Sequence, residues 1–262
     1  MIRALYTAAT GMNAQDTNVA TISNNIANVN STGYKKSRAE FQDLLYQNLK
    51  LVGTLSPNGN QIPTGSQLGL GTKLGAVAKI YTQGDFVKTE NQLDMAISGK
   101  GFFQIAQPDG TIAYSRAGSF KINNTGLVVT AAGLPMEPAI TIPQDSLTIS
   151  IDESGSVSVL QPGAVAPTVL GTIQLATFQN NAGLQALGNN NFKQTDASGA
   201  PTVGNPNSDD RGKLQQGFLE MSNVSVVEEM VNLISAQRAY ETNSRTVQTA
   251  DEMLQTANNM KR

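Results

Sequence analysis

Two runs of apolar residues spaced by sevens, one near each end of the chain, restrict the fold more than any other feature of this sequence. Leu5, Met12, Val19 and Ile26 fall seven apart, with Ala8, Gln15, Ile22 and Val29 interleaved. Val226, Leu233, Tyr240, Val247 and Leu254 repeat the spacing at the other end, with Ala236, Ala250 and Ala257 beside them. A period of 3.5 residues predicts helices that each bury a narrow stripe against another helix. Each can run to roughly 30 residues, about 45 Å. Amphipathic helices on a globular core would give a similar pattern, but the narrow stripe and the placement at both ends favour helix-on-helix pairing. The expected self-association seam is Leu5, Met12, Val19, Ile22, Ile26 and Val29 with Val226, Leu233, Tyr240, Val247 and Leu254. Thr17, Thr21, Asn24, Asn25 and Asn28 make the first helix intrinsically weak. A lone hairpin of the two is therefore expected to be marginal until neighbouring copies bury its remaining faces.

Between the ends the period changes to two. Leu147, Ile149 and Ile151 alternate up to Ser154-Gly155, after which Val157 and Val159 alternate. Phe102–Ala106 and Thr111–Tyr114 flank Asp109-Gly110, and Asn123–Gly126 separates Phe120 and Ile122 from Leu127–Val129. Short strands with Gly-containing turns predict an antiparallel β domain over 76–212, sandwich-like or a partial barrel. Residues 51–72 carry no charge, two Pro and five Gly. After Tyr46 they read as a long hairpin arm turning at Pro57, Asn58 and Gly59 and continuing through Pro63, or as a surface loop. The uncharged stretch 154–192 is either a contact patch or a solvated surface. The fold class is α+β: paired terminal helices (1–30 and 224–262), a connecting region with the arm (31–75 and 213–223) and the β domain.

Composition excludes most chemistry. The chain has no Cys, His or Trp, so it lacks thiolate and imidazole ligands and any Ser-His or Cys-His nucleophile pair. Eighteen Lys+Arg against 20 Asp+Glu give no basic surplus for nucleic acid. No phosphate-binding loop is present. The Asn205–Asp210 cluster fails as a Ca²⁺ loop, with Asp210 at position six and Gln216 at position twelve. A carboxylate pair among Asp85, Glu90, Asp94 and Asp109 could in principle cleave a glycosidic bond, but these read better as turn and edge residues. Glycosylation triplets at Asn30 and Asn223 carry no weight. No catalytic residue, cofactor or metal is expected. No apolar run is long enough to insert in a membrane, and the first residues do not read as a cleavable signal peptide.

The segment Ser23-Asn24-Asn25-Ile26-Ala27-Asn28-Val29-Asn30-Ser31-Thr32-Gly33-Tyr34-Lys35 resembles the N-terminal signature of bacterial flagellar rod and hook axial proteins. Its Asn25, Asn28, Asn30, Thr32, Gly33 and Tyr34 carry the resemblance. Gln83-Gly84-Asp85-Phe86, Leu93-Asp94-Met95-Ala96-Ile97, Gly99-Lys100-Gly101-Phe102-Phe103 and Tyr114-Ser115-Arg116-Ala117-Gly118-Ser119-Phe120 are similar to the family's central block. Gln216–Glu220, Asn223-Val224 and Gln237-Arg238-Ala239-Tyr240-Glu241 resemble its C-terminal signature. Length and a single β region resemble the distal-rod branch, with a proximal-rod or short hook subunit as the alternative. A β-rich surface adhesin is the rival from a different class. The resemblance implies a helical homopolymer and a rigid hollow drive shaft. It also implies an arm that stiffens the shaft. The implied partners are proximal rod subunits, the hook and its assembly cap, the surrounding P and L rings, and the flagellar type III export apparatus. Gly33 reads as a hinge position after the first helix, with simple helix termination as the alternative reading.

Overall fold

A computed structural model describes residues 2–50, 64–163 and 166–260. Pro57, Asn58, Gly59 and Pro63 of the expected arm lie outside the described residues. The chain divides into two compact units, 1–27 with 37–79 and 225–262, and 28–36 with 80–224. It passes from one to the other four times.

The first unit holds α1 (Ile2–Ala27) and α2 (Val226–Asn259), together with strands β1 (Ser37–Asp43), β2 (Tyr46–Lys50), β3 (Ser66–Gly69) and β4 (Thr72–Lys79). The helices run antiparallel: Asn25 meets Glu229, and Gly11 faces Asn243 further along. A Cβ on Gly11 would stand 2.9 Å from the Asn243 Nδ2. α1 ends at Ala27 because Asn28 and its neighbours take up turn bonds instead: the Ser31 N–H donates to Asn28 O at 3.1 Å and Ser31 Oγ to Asn28 Oδ1 at 3.2 Å. Val29 therefore stands beyond the helix, and the heptad run stops at Ile26. β1 and β4 form a two-stranded antiparallel ribbon from Ser37↔Lys79 to Asp43↔Thr72, and β2 and β3 pair from Tyr46↔Gly69 to Lys50↔Ser66. α1 packs on β1 and β4. There Gly71 (φ +117°) lets the ribbon come close to Thr10, whose Oγ1 accepts from the Thr72 N–H at 3.4 Å.

The second unit is antiparallel β. Its strands, in chain order, are β5 (Phe86–Lys88), β6 (Met95–Ser98), β7 (Phe102–Ala106), β8 (Ile112–Ser115), β9 (Phe120–Ile122), β10 (Val128–Thr130), β11 (Met136–Glu137), β12 (Thr148–Ile151), β13 (Ser156–Leu160), β14 (Thr168–Thr172), β15 (Leu175–Thr177), β16 (Gln185–Gly188), β17 (Asn191–Lys193), β18 (Thr202–Gly204), β19 (Lys213–Gln216) and β20 (Phe218–Glu220). The main sheet runs β16-β17-β8-β7-β15-β18, with β11 also on β7; a smaller one runs β12-β13-β14. The hairpins read from the sequence are present: β7–β8 across Asp109-Gly110, β9–β10 across Asn123–Gly126, β12–β13 across Ser154-Gly155. One apolar cluster joins Met95, Ile97, Phe103 and Phe120 with Val159 and Leu175. On the other side of the main sheet Tyr81 packs edge-to-face on Phe102 and Phe192, Phe102 on Phe178, and Phe178 on Tyr114. This unit buries its own core.

Candidate assembly site

The seam between α1 and α2 is built from small and polar side chains. Glu229, Ala236 and Ala250 are the buried residues of α2, seven apart, and half-buried Asn243 completes the row. On α1, Ala8, Ala14, Ile22 and Asn25 are buried. Small residues let the helices approach closely, and the larger apolar side chains of the heptads are displaced to the flanks. Leu5, Met12, Val19, Ile26, Leu233, Val247 and Leu254 are accordingly only half-buried, while Val226 and Tyr240 are exposed. A further apolar stripe, Val227, Met230, Val231 and Ile234, lies on one face of α2 with exposures of 75 %, 53 %, 62 % and 49 %. Its spacing of i, i+3, i+4 and i+7 is legible in the sequence but hidden behind the heptad. The ribbons add exposed Phe41, Tyr46, Leu49, Leu68, Leu74 and Val77. A two-stranded ribbon is at best marginal alone, and these residues present it with an apolar surface ready for cover.

Asn25 organises the helical unit. Its Nδ2 donates to Ser37 O at 2.8 Å, its Oδ1 accepts from the Ser37 N–H at 2.9 Å, and the same Nδ2 reaches Glu229 Oε2 at 3.2 Å. One buried carboxamide thus ties the end of α1 to the start of β1 and to the first turn of α2. Only a side chain with both a donor and an acceptor does this.

A second constellation sits in the β unit and draws on both signatures. Lys35 and Glu220 are fully buried and paired at 2.5 Å, and Lys35 Nζ also donates to Thr82 O at 2.7 Å. Glu220 Oε1 accepts from the Gly84 N–H at 3.1 Å, and Glu220 Oε2 lies 3.5 Å from Arg116. The Arg116 guanidinium donates to Ile97 O and Gly99 O at 3.1 and 2.6 Å and lies over the Phe102 ring. Burial pushes Lys35 below the usual lysine range, and the Glu220 carboxylate only partly opposes it. Burial also pulls the Arg116 guanidinium down. Asn223 completes the set. Its Oδ1 accepts from the Lys36 N–H at 2.8 Å, and its Nδ2 donates to Ile80 O at 2.9 Å and to Thr82 O at 3.1 Å. Gly33 makes the crossing possible: at φ +69° its N–H donates to Glu220 O at 2.8 Å, and a Cβ there would stand 2.4 Å from Ala117 N. Tyr34 is buried beside it, Thr32 O accepts from Asn190 Nδ2 at 2.8 Å, and Asn30 is exposed.

No cluster of three or more acidic residues that could hold a metal exists among the described residues. Of the carboxylates weighed for glycosidase work, Asp109 lies in the β7–β8 turn and Asp94 in an isolated bridge to Ser119. Asp109 Oδ1 accepts from the Thr111 hydroxyl and N–H, bonds that hold it below the usual carboxylate range, and Asp94 Oδ1 accepts from Asn91 Nδ2. No described helix is long and apolar enough to cross a membrane.

Comparison with known proteins matches three segments to families: residues 5–35 to "Flagella basal body rod protein", 96–159 to "Flagellar hook protein FlgE/F/G D1 domain", and 215–260 to "Flagellar basal body rod FlgEFG protein C-terminal". These ranges take in most of α1, all of α2, Lys35, Arg116, Glu220 and Asn223; the expected arm falls between them. The chain is 50% identical to flagellar basal-body rod protein FlgG of Borreliella burgdorferi over 270 residues, covering all of both. It is 50% identical to the FlgG of Agrobacterium fabrum, covering 96% of this chain and 97% of that one. To the FlgG of Bacillus subtilis it is 39% identical over the whole of both. With both terminal signatures, the central block and full-length likeness in agreement, the chain belongs to the flagellar basal-body rod protein family.

Proposed function

We propose that copies of this chain polymerise helically into the distal part of the flagellar rod, a rigid hollow shaft within the basal body that transmits torque to the hook and leaves a bore for export. The observation that carries the self-assembly step is the apolar stripe Val227, Met230, Val231 and Ile234, which α1 leaves uncovered. Burying four such side chains is worth roughly 6 kcal/mol per copy before ordering costs. A surface that one chain leaves open and the next chain covers at a different patch is heterologous, and such contacts propagate into open helical assemblies.

In this reading the terminal helices pair in a coiled-coil-like layer that lines the tube, with the half-buried heptad residues Leu5, Met12, Val19, Ile26, Leu233, Val247 and Leu254 completing their burial against neighbours. The 46–72 arm lies on adjacent subunits and stiffens the shaft, an idea supported by the exposed apolar side chains on β2 and β3. Proximal rod subunits, the hook and its cap, the P and L rings and the type III export apparatus are the partners that family membership implies. No enzymatic step is assigned. The test is a sedimentation assay for polymer with Ile234→Asp, whose carboxylate would be desolvated at the contact. Loss of polymer with an intact β unit is expected, and wild-type polymer would overturn the assignment of the stripe.

A further inference from the structure

The Lys35, Glu220 and Asn223 constellation holds the parts of a reaction as well as a set of contacts. Lys35 and Asn223 lie 188 positions apart in sequence, yet the Lys35 Nζ and the Asn223 Nδ2 both donate to the same Thr82 oxygen. The carboxamide is held at both ends, its oxygen by the Lys36 N–H and its nitrogen by Ile80 and Thr82. Glu220 Oε1 stands 2.5 Å from the lysine nitrogen. These are a nucleophile, an oriented electrophile, an N–H donor placed where negative charge would grow, and a carboxylate in contact with the nucleophile and able to take its proton.

We propose that Lys35 and Asn223 condense into an intramolecular amide, joining the segment that follows α1 covalently to the segment that precedes α2. The Lys35 ammonium passes a proton to Glu220. The freed electron pair on Nζ attacks Cγ of Asn223, and the carbonyl pair moves onto Oδ1 beside the Lys36 N–H. Glu220 gives its proton to the departing Nδ2 and takes one from Nζ. The carbonyl re-forms, the Cγ–Nδ2 bond breaks and ammonia leaves, collecting the last proton from Glu220 as ammonium. One amide is exchanged for another, so no oxidant, reductant or co-reactant enters.

Charge supplies the driving bias. Two buried cations, Lys35 and Arg116, lie beside the buried Glu220 carboxylate, and each charge held away from water is expensive. Condensation removes the lysine charge and leaves Arg116 and Glu220 balanced. Burial already favours the neutral amine that the attack requires. Lys35 itself is fully enclosed, so the attacking nitrogen is shielded from water.

The test is the intact mass of purified full-length chain, denatured after folding and storage at neutral pH, followed by peptide mapping. The expected result is a mass one ammonia below that of the sequence, with a branched peptide linking the Lys35 and Asn223 fragments. Lys35→Met and Asn223→Ala should each restore the sequence mass, and Glu220→Gln should keep Lys35 and Asn223 unjoined. A wild-type chain with a protease-resistant β unit and the full sequence mass would overturn the proposal. So would ammonia loss without the branched peptide, which marks cyclisation of an asparagine onto its own backbone.

Discussion

Replacing Gly33 by alanine tests whether the N-terminal signature is a packing requirement of the β unit. At φ +69° an alanine loses the freedom glycine has there, about 1 kcal/mol. Its Cβ would also stand 2.4 Å from Ala117 N and 2.6 Å from Arg116 C, both backbone atoms that cannot swing aside. Relieving such an overlap costs about 1–3 kcal/mol, so the loss expected is about 2–4 kcal/mol. Gly110 supplies the internal control, with φ +79° and nothing within 4 Å of the place an added methyl would take; Gly110→Ala should lose only the conformational part, about 1 kcal/mol. The chain has no Trp, so buried Tyr34 and Tyr114 serve as fluorescent reporters in urea. With a slope of roughly 2 kcal/mol per molar, Gly33→Ala should move the midpoint down by about 1–2 M and Gly110→Ala by about 0.5 M. Coincident curves for the two variants would refute the close approach of Gly33 to Ala117.

Other outcomes follow from the same geometry. Asn25→Ala removes the hydrogen bonds to Ser37 and takes the Asn25 donor from buried Glu229; the helical signal in circular dichroism should melt earlier, by about 1–3 kcal/mol, and an unchanged melt would remove Asn25 from the helical clamp. Leu233→Asp, on the flank of the seam, should abolish polymer in a pelleting assay while tyrosine-detected unfolding of the β unit stays at the wild-type midpoint. In Asn223→Ala, Lys35 keeps its amine; because its folded pKa lies below the unfolded 10.5, the unfolded state binds more protons between the two values. Stability should therefore rise with pH through that window, and the added change Lys35→Met should flatten the rise. A flat profile in Asn223→Ala itself would contradict the direction assigned to Lys35.

The sequence made the helices and the hairpins readable because both depend on local signals. Heptad spacing marks α1 and α2, and Asp109-Gly110, Asn123–Gly126 and Ser154-Gly155 mark the turns. The lining of the seam was not readable in the same way. A pattern search seeks large apolar residues and so selects Leu233, Val247 and Leu254, whereas close helix approach places Ala236, Asn243 and Ala250 innermost. The second constellation was further out of reach. Lys35, Arg116 and Glu220 look like ordinary surface charges along the chain, and only the fold reveals that Lys35 and Glu220 are in contact. Tyr34-Lys35 and Gly217–Glu220 could be quoted as family motifs without any hint that one closes on the other.

The ribbon has a further consequence. Residues 37–79 begin and end as ladder partners, Ser37 opposite Lys79, and the next pair in the chain, Lys36 and Ile80, is closed by its own backbone hydrogen bond at 2.8 Å. The excursion is therefore a cassette with abutting ends. Evolution or an engineer can lengthen it, trim it or swap in a foreign hairpin, and the β body keeps the same doorway.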